Sequence, residues 1–161
     1  MPKDKSLFFY GSIYNRLLDP QLAECRQKTV DLVPEAATVL DIACGTGQLC
    51  FELKIHKHCH VTGLDLSLRM LEFARKSNSF QDISFVHEDA TNLNSFKDNT
   101  FDYATMLMIL HELPRPQQIG MLKEALRVAK RGIIVDSVVP LPKKTGGYWH
   151  SLSRGNFRTR T

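Results

Sequence analysis

The sequence predicts an α/β protein: a doubly wound parallel sheet with helices on both faces. Three observations predict it. From Thr38 onward, short apolar runs alternate with stretches of helical spacing. The first of these runs, Val39-Leu40-Asp41-Ile42-Ala43, leads within two residues into the glycine turn Gly45-Thr46-Gly47. Carboxylates then recur where later runs end, at Asp65 and Asp89. Strand-helix alternation at this spacing requires crossover connections, which are right-handed and place helices on both faces of a parallel sheet.

Each element has its own signal. Residues Phe8 to Val33 have helical spacing, with Ile13, Leu17 and Leu18 on one face and Leu22, Cys25, Val30 and Val33 on another. Pro20 splits this part into two helices, Asp19 is placed to cap the second, and Pro34 closes it. A strand over Thr38 to Cys44 reads as covered on both faces, since only Asp41 interrupts its apolar run. A helix follows from Gly47 to Lys57, then a strand from His60 to Asp65. Ser67 caps a helix over Leu68 to Ser77, whose Leu68, Leu71 and Ala74 share a face. A strand over Ile83 to His87, a polar loop over Asn92 to Thr100 and a strand over Phe101 to Met108 come next. Pro114 and Pro116 start a helix with Ile119, Leu122, Leu126 and Ala129 at helical spacing and Gly132 as its stop. The last strand runs from Ile133 to Val139. The chain divides into a helical cap segment (1–34), an α/β core (35–139) and a tail (140–161) rich in glycine, basic and hydroxyl residues.

Composition narrows the function. A chain of 161 residues makes one domain, and a formal charge of +4 is modest. No apolar run approaches the ~20 residues that span a bilayer, and Leu7 to Tyr10 is too short for a signal-peptide core. A cytoplasmic protein with no membrane partner is expected. Basic residues are not interleaved with aromatics in a stripe, so a nucleic-acid partner is not expected. Cys25, Cys44, Cys50 and Cys59 show no C-x-x-C spacing and read as reduced, small hydrophobes. His56, His58 and His60 alternate around Cys59 but fall at the edge opposite the ligand side, so they read as exposed loop histidines and no metal is expected.

The glycine turn carries the most chemistry. Gly45 and Gly47 let a ligand approach the main chain, and the helix beyond them points unpaired N–H groups and a partial positive charge at the turn. Asp41 adds a carboxylate nearby, which disfavours a phosphate and favours a ligand with a cationic end, such as the amino or sulfonium group of S-adenosylmethionine. A dinucleotide site is the alternative, but its G-x-G-x-x-G fingerprint finds Cys50 at the third glycine. Ligands of open α/β sheets bind outside the carboxyl ends of the strands. Asp65 ends the second strand at the offset expected of a ribose-binding acid, although alone it is also an ordinary turn acid. Asp89 alone reads as a loop residue, Asp102 as an acid that caps or pairs structurally, and Asp136 as an acid that satisfies neighbouring backbone groups.

The stretch Asp41-Ile42-Ala43-Cys44-Gly45-Thr46-Gly47 resembles motif I of the class I S-adenosylmethionine-dependent methyltransferases, acidic-x-Gly-x-Gly-x-Gly, with Ala43 at the first glycine. Asp65-Leu66-Ser67-Leu68-Arg69-Met70-Leu71 is similar to the family's D-x-S-x-x-M-L run. The resemblance covers residues 38 to 139 and looks closest to the ubiquinone/menaquinone-biosynthesis type. It implies a Rossmann-like sheet of order 3-2-1-4-5 and S-adenosylmethionine as cofactor. By the same resemblance Asp65 holds the ribose, the apolar residues after it, Leu66 and Met70, pack on adenine, Asp89 takes the adenine amino group, and the Ala90 main chain takes the ring nitrogen. The main chain near Met106 faces the methionine end, and Tyr10 and Tyr14 cover the cofactor.

The function expected is methyl transfer to a small molecule. His111, in the segment that borders the substrate in the family, is the candidate general base; the alternative is a helix-start histidine that only shapes the pocket. The asparagine-proline-proline-aromatic signature of amino-group methylation on nucleic acids is absent. A cofactor-binding or interacting protein without catalysis is the second reading, and a nicotinamide-dependent oxidoreductase the third. The family's antiparallel strand pair after strand 5 wants roughly 30 to 40 residues. The chain therefore reads as truncated, and its last strand as an edge open to self-association unless Tyr148 and Trp149 of the tail cover it.

Overall fold

The computed structural model describes residues 19–136. Helix α1 (Asp19–Leu32) precedes β1 (Thr38–Ile42), α2 (Gln48–Lys57), β2 (His60–Asp65), α3 (Leu68–Ser77) and β3 (Ser84–His87). After a long loop come β4 (Phe101–Leu107), a 3-10 turn (Leu110–Glu112), α4 (Arg115–Val128) and β5 (Ala129–Val135). The five strands form one parallel sheet of order β3-β2-β1-β4-β5, the order the sequence resemblance implies. Tyr10, Tyr14, Tyr148 and Trp149 lie outside the described residues.

Register sets the site. Ile42 of β1 pairs with Leu64 of β2 and Met106 of β4, and Asp65 pairs with His87 of β3. The carboxyl ends of four strands therefore finish at one level, and the loops leaving them converge.

The sheet is covered on both faces. On one face Leu40, Ile42, Ala104 and Met106 pack with Met121, Ala125 and Val128 of α4 and with Leu93. On the other, Val39, Val61 and Tyr103 pack with Val30 and Val33 of the α1 region and Leu49, Cys50 and Leu53 of α2. Burial on both sides is what makes β1 read as a continuous apolar run. Ser67 caps α3, its hydroxyl accepting the Met70 N–H at 3.4 Å. Asp102 accepts the Thr38 N–H at 3.0 Å and hydroxyl at 2.8 Å and pairs with Lys130 at 2.9 Å, so its structural reading stands.

Three expectations are corrected. The last strand begins at Ala129, four residues early, and ends at Val135; positions 137–139 lie outside the described residues. Gly132 does not stop a helix: it pairs with Ala104 inside β5. The β-branched run after it, with β4 available as a partner, pulls the chain into the sheet directly from α4. Asp136 accordingly follows the last strand. The helix faces also shift. Leu126 is 65% exposed and Leu68 54% exposed, while the buried positions are Met121, Ala125 and Val128 in α4 and Met70, Leu71 and Ala74 in α3. The apolar stripe in each helix is wider than its buried part.

Candidate active site

A cavity of about 380 Å³ opens where the strands end. Ala43 and Gly45 of the turn after β1 form one wall, with Asp65, Leu66, Ser67 and Met70 from β2 and α3 beside them. Glu88 to Thr91 beyond β3 close a second side. The third is apolar, formed by Leu107, Met108, Ile109, Leu113 and Met121, with Glu112 and Gln117 as its polar members.

The turn is held by unusual backbone and by a carboxylate. Gly45 and Gly47 have φ of 55° and 82°, in the left-handed region. At Gly47 a Cβ would lie 3.0 Å from the Phe85 ring and 3.2 Å from Phe51. Ala43 also sits at φ 60°, and Met108 at φ 54° after β4. A left-handed non-glycine residue costs roughly 1–2 kcal/mol, and such strain collects at ligand sites. Alanine at the first motif position is thus strained and more than a change of size. Gly63, which the sequence reading did not single out, is required by packing: a Cβ there would stand 2.9 Å from Cys44 Sγ and from the Phe85 ring.

Asp65 locks the turn to β2. Its Oδ2 accepts the Gly45 N–H at 2.8 Å and its Oδ1 the Ser67 N–H at 2.8 Å. Burial raises its pKa, and the two N–H groups partly offset that rise. Asp89 is exposed and spends Oδ1 on the Thr91 N–H and hydroxyl, both at 2.8 Å, which lowers its pKa. Its neighbour Glu88, to which the sequence assigned no role, lines the cavity. Among the described residues Glu88 Oε2 is the buried side-chain oxygen that no donor reaches.

Asp41 stands apart. It is 2% exposed and does not line the cavity. Its Oδ1 accepts the Thr105 hydroxyl at 2.8 Å, and Cys50 Sγ lies 3.4 Å from Oδ2. Burial pushes its pKa up to about 7. Gly47 and Met106 also lie behind the wall; Gly47 shapes it through Phe85, and Met106 belongs to the core. Ala43, Gly45, Asp65, Leu66, Met70, Asp89 and Ala90 come together on the cavity.

His111 does not line the cavity; Glu112 beside it does. His111 Nδ1 lies 2.6 Å from Asp136 Oδ1, and Nε2 lies 3.3 Å from Glu112 Oε1. A carboxylate only accepts, so Nδ1 donates to Asp136. Asp136 Oδ2 also takes the backbone N–H of Leu110 at 2.6 Å and of His111 at 3.4 Å. The acid after β5 thus satisfies backbone groups, as expected, and holds the histidine ring as well. Gln118 Nε2 donates to the Leu110 and Leu113 carbonyls at 2.9 Å, fixing the same turn from α4. Among the described residues no group of three metal-ligating side chains forms.

A glycine turn after β1, a carboxylate closing β2 and a cavity across the strand ends, on a sheet of order 3-2-1-4-5, define a class I S-adenosylmethionine-dependent methyltransferase fold. The chain belongs to the methyltransferase domain family, whose model matches residues 39–132. It is 40% identical over 112 residues to the demethylmenaquinone methyltransferase of Bacillus licheniformis, covering 66% of this chain and 47% of that protein. It is 40% identical over 106 residues to the Staphylococcus epidermidis enzyme of the same name, covering 64% and 43%. The chain thus spans about half the length of the curated relatives it matches. Among solved structures it resembles the PH0226 protein of Pyrococcus horikoshii, with a TM-score of 0.68, 26% identity and coverage of 77% of this chain and 65% of that one. The fold alone is shared with a SAM-dependent methyltransferase from Aquifex aeolicus, with a TM-score of 0.66, 24% identity and coverage of 84% and 77%. No helix among the described residues is long and apolar enough to cross a membrane.

Proposed function

We propose that this domain binds S-adenosylmethionine and transfers its methyl group to a small, largely apolar acceptor. The observation that carries the reading is the cavity itself, where the Asp65 carboxylate and the left-handed glycine turn meet at the strand ends. These residues suit the cofactor: a carboxylate for the ribose hydroxyls, Leu66 and Met70 for an apolar ring face, and the segment Glu88 to Ala90 for the edge of the base. When bound, the cofactor supplies a methyl group on a sulfonium, a reactive electrophile that needs alignment more than activation.

The apolar wall of Leu107, Met108, Ile109, Leu113 and Met121 supports an apolar acceptor, and the names of the curated relatives above point to demethylmenaquinone. In such a transfer the acceptor atom bonds the methyl carbon as the sulfur–carbon bond breaks, and the acceptor proton must leave. His111, held by Asp136 behind the cavity wall, is the proposed final proton acceptor, reached through Glu112, which lines the cavity and lies 3.3 Å from its Nε2. Calorimetry is expected to show binding of S-adenosylhomocysteine and none of NAD. Turnover of S-adenosylmethionine with demethylmenaquinone is expected to fall in His111→Ala with cofactor affinity unchanged. Cofactor binding without turnover on demethylmenaquinone or other apolar acceptors would favour the non-catalytic reading, and NAD binding would sink the proposal.

The β5 edge supports a second, separate proposal of self-association. Ile134 on that strand is 41% exposed, and β5 ends the sheet among the described residues. Sedimentation is expected to show a concentration-dependent dimer, and a monomer at every concentration would dismiss it.

A further inference from the structure

We infer that Gln118 is a positioning residue for methyl transfer, holding the turn that carries His111 and Glu112 in the geometry that proton removal needs. The inference rests on the methyl-transfer reading above and deepens it.

A single 3-10 turn is a weak platform, because its hydrogen bonds are poorly aligned. In the turn Leu110–Glu112 the Glu112 N–H meets the Ile109 carbonyl and the Leu113 N–H the Leu110 carbonyl, both at 3.1 Å. This turn carries a contact that is already loose: His111 Nε2 lies 3.3 Å from Glu112 Oε1. Proton transfer wants heavy atoms about 2.6–3.2 Å apart. The pair must therefore tighten during the reaction, and any drift of the turn opens it.

Rigidity comes from outside the turn. At its entry Met108, in left-handed backbone at φ 54°, donates its N–H to the Val135 carbonyl at 2.7 Å. From beyond β5, Asp136 accepts the Leu110 N–H at 2.6 Å and holds the His111 ring. From the first turn of α4, Gln118 Nε2 donates to the Leu110 and Leu113 carbonyls, both at 2.9 Å. Carbonyls only accept, so the amide must turn its nitrogen toward them, and both of its N–H groups are spent there. One bond falls at the first residue of the turn and the other just past its last, so Glu112 is fixed from both sides. Gln117 lines the cavity and Gln118 does not. Gln118 thus acts through the main chain that bears Glu112 and His111. A displacement of about 1 Å at such a place costs on the order of 100-fold in rate.

The test uses the full chain with S-adenosylmethionine and demethylmenaquinone. Gln118→Met keeps the length of the side chain and removes its donors. Its kcat should fall roughly 10- to 100-fold, with KM for S-adenosylmethionine and affinity for S-adenosylhomocysteine within about twofold of wild type. Gln118→Glu keeps the shape but turns a carboxylate toward two carbonyls, and should lose at least as much. In both variants the Glu112 and Leu113 amides should exchange hydrogen faster while the amides of β1 and β4 do not. A fall in kcat accompanied by an equal loss of cofactor affinity and faster exchange throughout the sheet would mean a general structural role and overturn the inference. A Gln118→Glu protein as active as wild type would overturn it too, since shape alone would then suffice. Faster exchange at the turn with kcat unchanged sinks the inference alone, whereas absence of turnover in wild type sinks the methyl-transfer reading with it.

Discussion

Asp65→Ala should weaken S-adenosylhomocysteine binding by at least tenfold and toward a hundredfold. Three losses combine. The ribose hydroxyls lose a charged acceptor, and hydrogen bonds to a charged group are worth about 1.5–3 kcal/mol each. The Gly45 N–H loses its 2.8 Å partner, so the left-handed turn is no longer tied to β2. The Ser67 N–H at the start of α3 loses its partner as well. The last two losses act on the empty protein, so its melting temperature should also fall, by roughly 2–8 °C for 1–2 kcal/mol in a domain of this size. Asp65→Asn keeps the shape and one acceptor and should lie between the two. Calorimetry and thermal unfolding on the same samples separate the contributions. A lowered melting temperature with unchanged affinity would leave Asp65 with the fold and remove it from the ligand.

Asp41→Asn should change how stability depends on pH. Asp41 lies in the central strand, and burial lifts its pKa from 3.8 to about 7. The folded chain therefore keeps a proton that the unfolded chain releases between those two values. The stabilisation from that proton is complete below about pH 4 and is lost as pH rises through 7. At pH 8 the wild type buries a full charge whose hydrogen bonds, among the described residues, come from Thr105 and, at longer range, Cys50. Asparagine is uncharged throughout, and its carbonyl still accepts the Thr105 hydroxyl. Relative to wild type, the variant should gain on the order of 3–4 kcal/mol between pH 4 and pH 8. In melting temperature that is about 6–16 °C of relative gain. Asp65, whose pKa is also raised, contributes to both proteins and largely cancels in the comparison. Melting curves that stay parallel across this range would show that Asp41 is ionised at low pH like an ordinary aspartate.

The two acids show what a linear reading sees and misses. Both were legible as carboxylates near strand ends, and both were expected at the ligand. The structure separates them by strand geometry. Side chains alternate across a strand, so Asp41, one residue before the end of β1, turns into the layer between sheet and α2 and meets Cys50. Asp65, at the last position of β2, reaches the turn.

Much of the architecture was determined by the sequence alone. Apolar runs of strand length, helical spacing between them, Ser67 before α3 and glycines after β1 are local signals, and local sterics and burial suffice to read them. They set the parallel sheet, the order of elements and the end of the sheet where a ligand binds. Tertiary structure decided what depends on a distant partner. Ala129 to Gly132 joined the sheet because β4 offered a ladder, overriding glycine as a helix stop. Gly63 is needed because Cys44 and Phe85 occupy the space of its side chain. Glu88 came to the cavity wall with one oxygen fixed by a loop that Arg127 clamps from α4. His111 acquired its orientation from Asp136, which lies beyond a whole helix and strand in the chain. None of these leaves a periodic mark in the sequence, since each arises from two segments brought together by the fold.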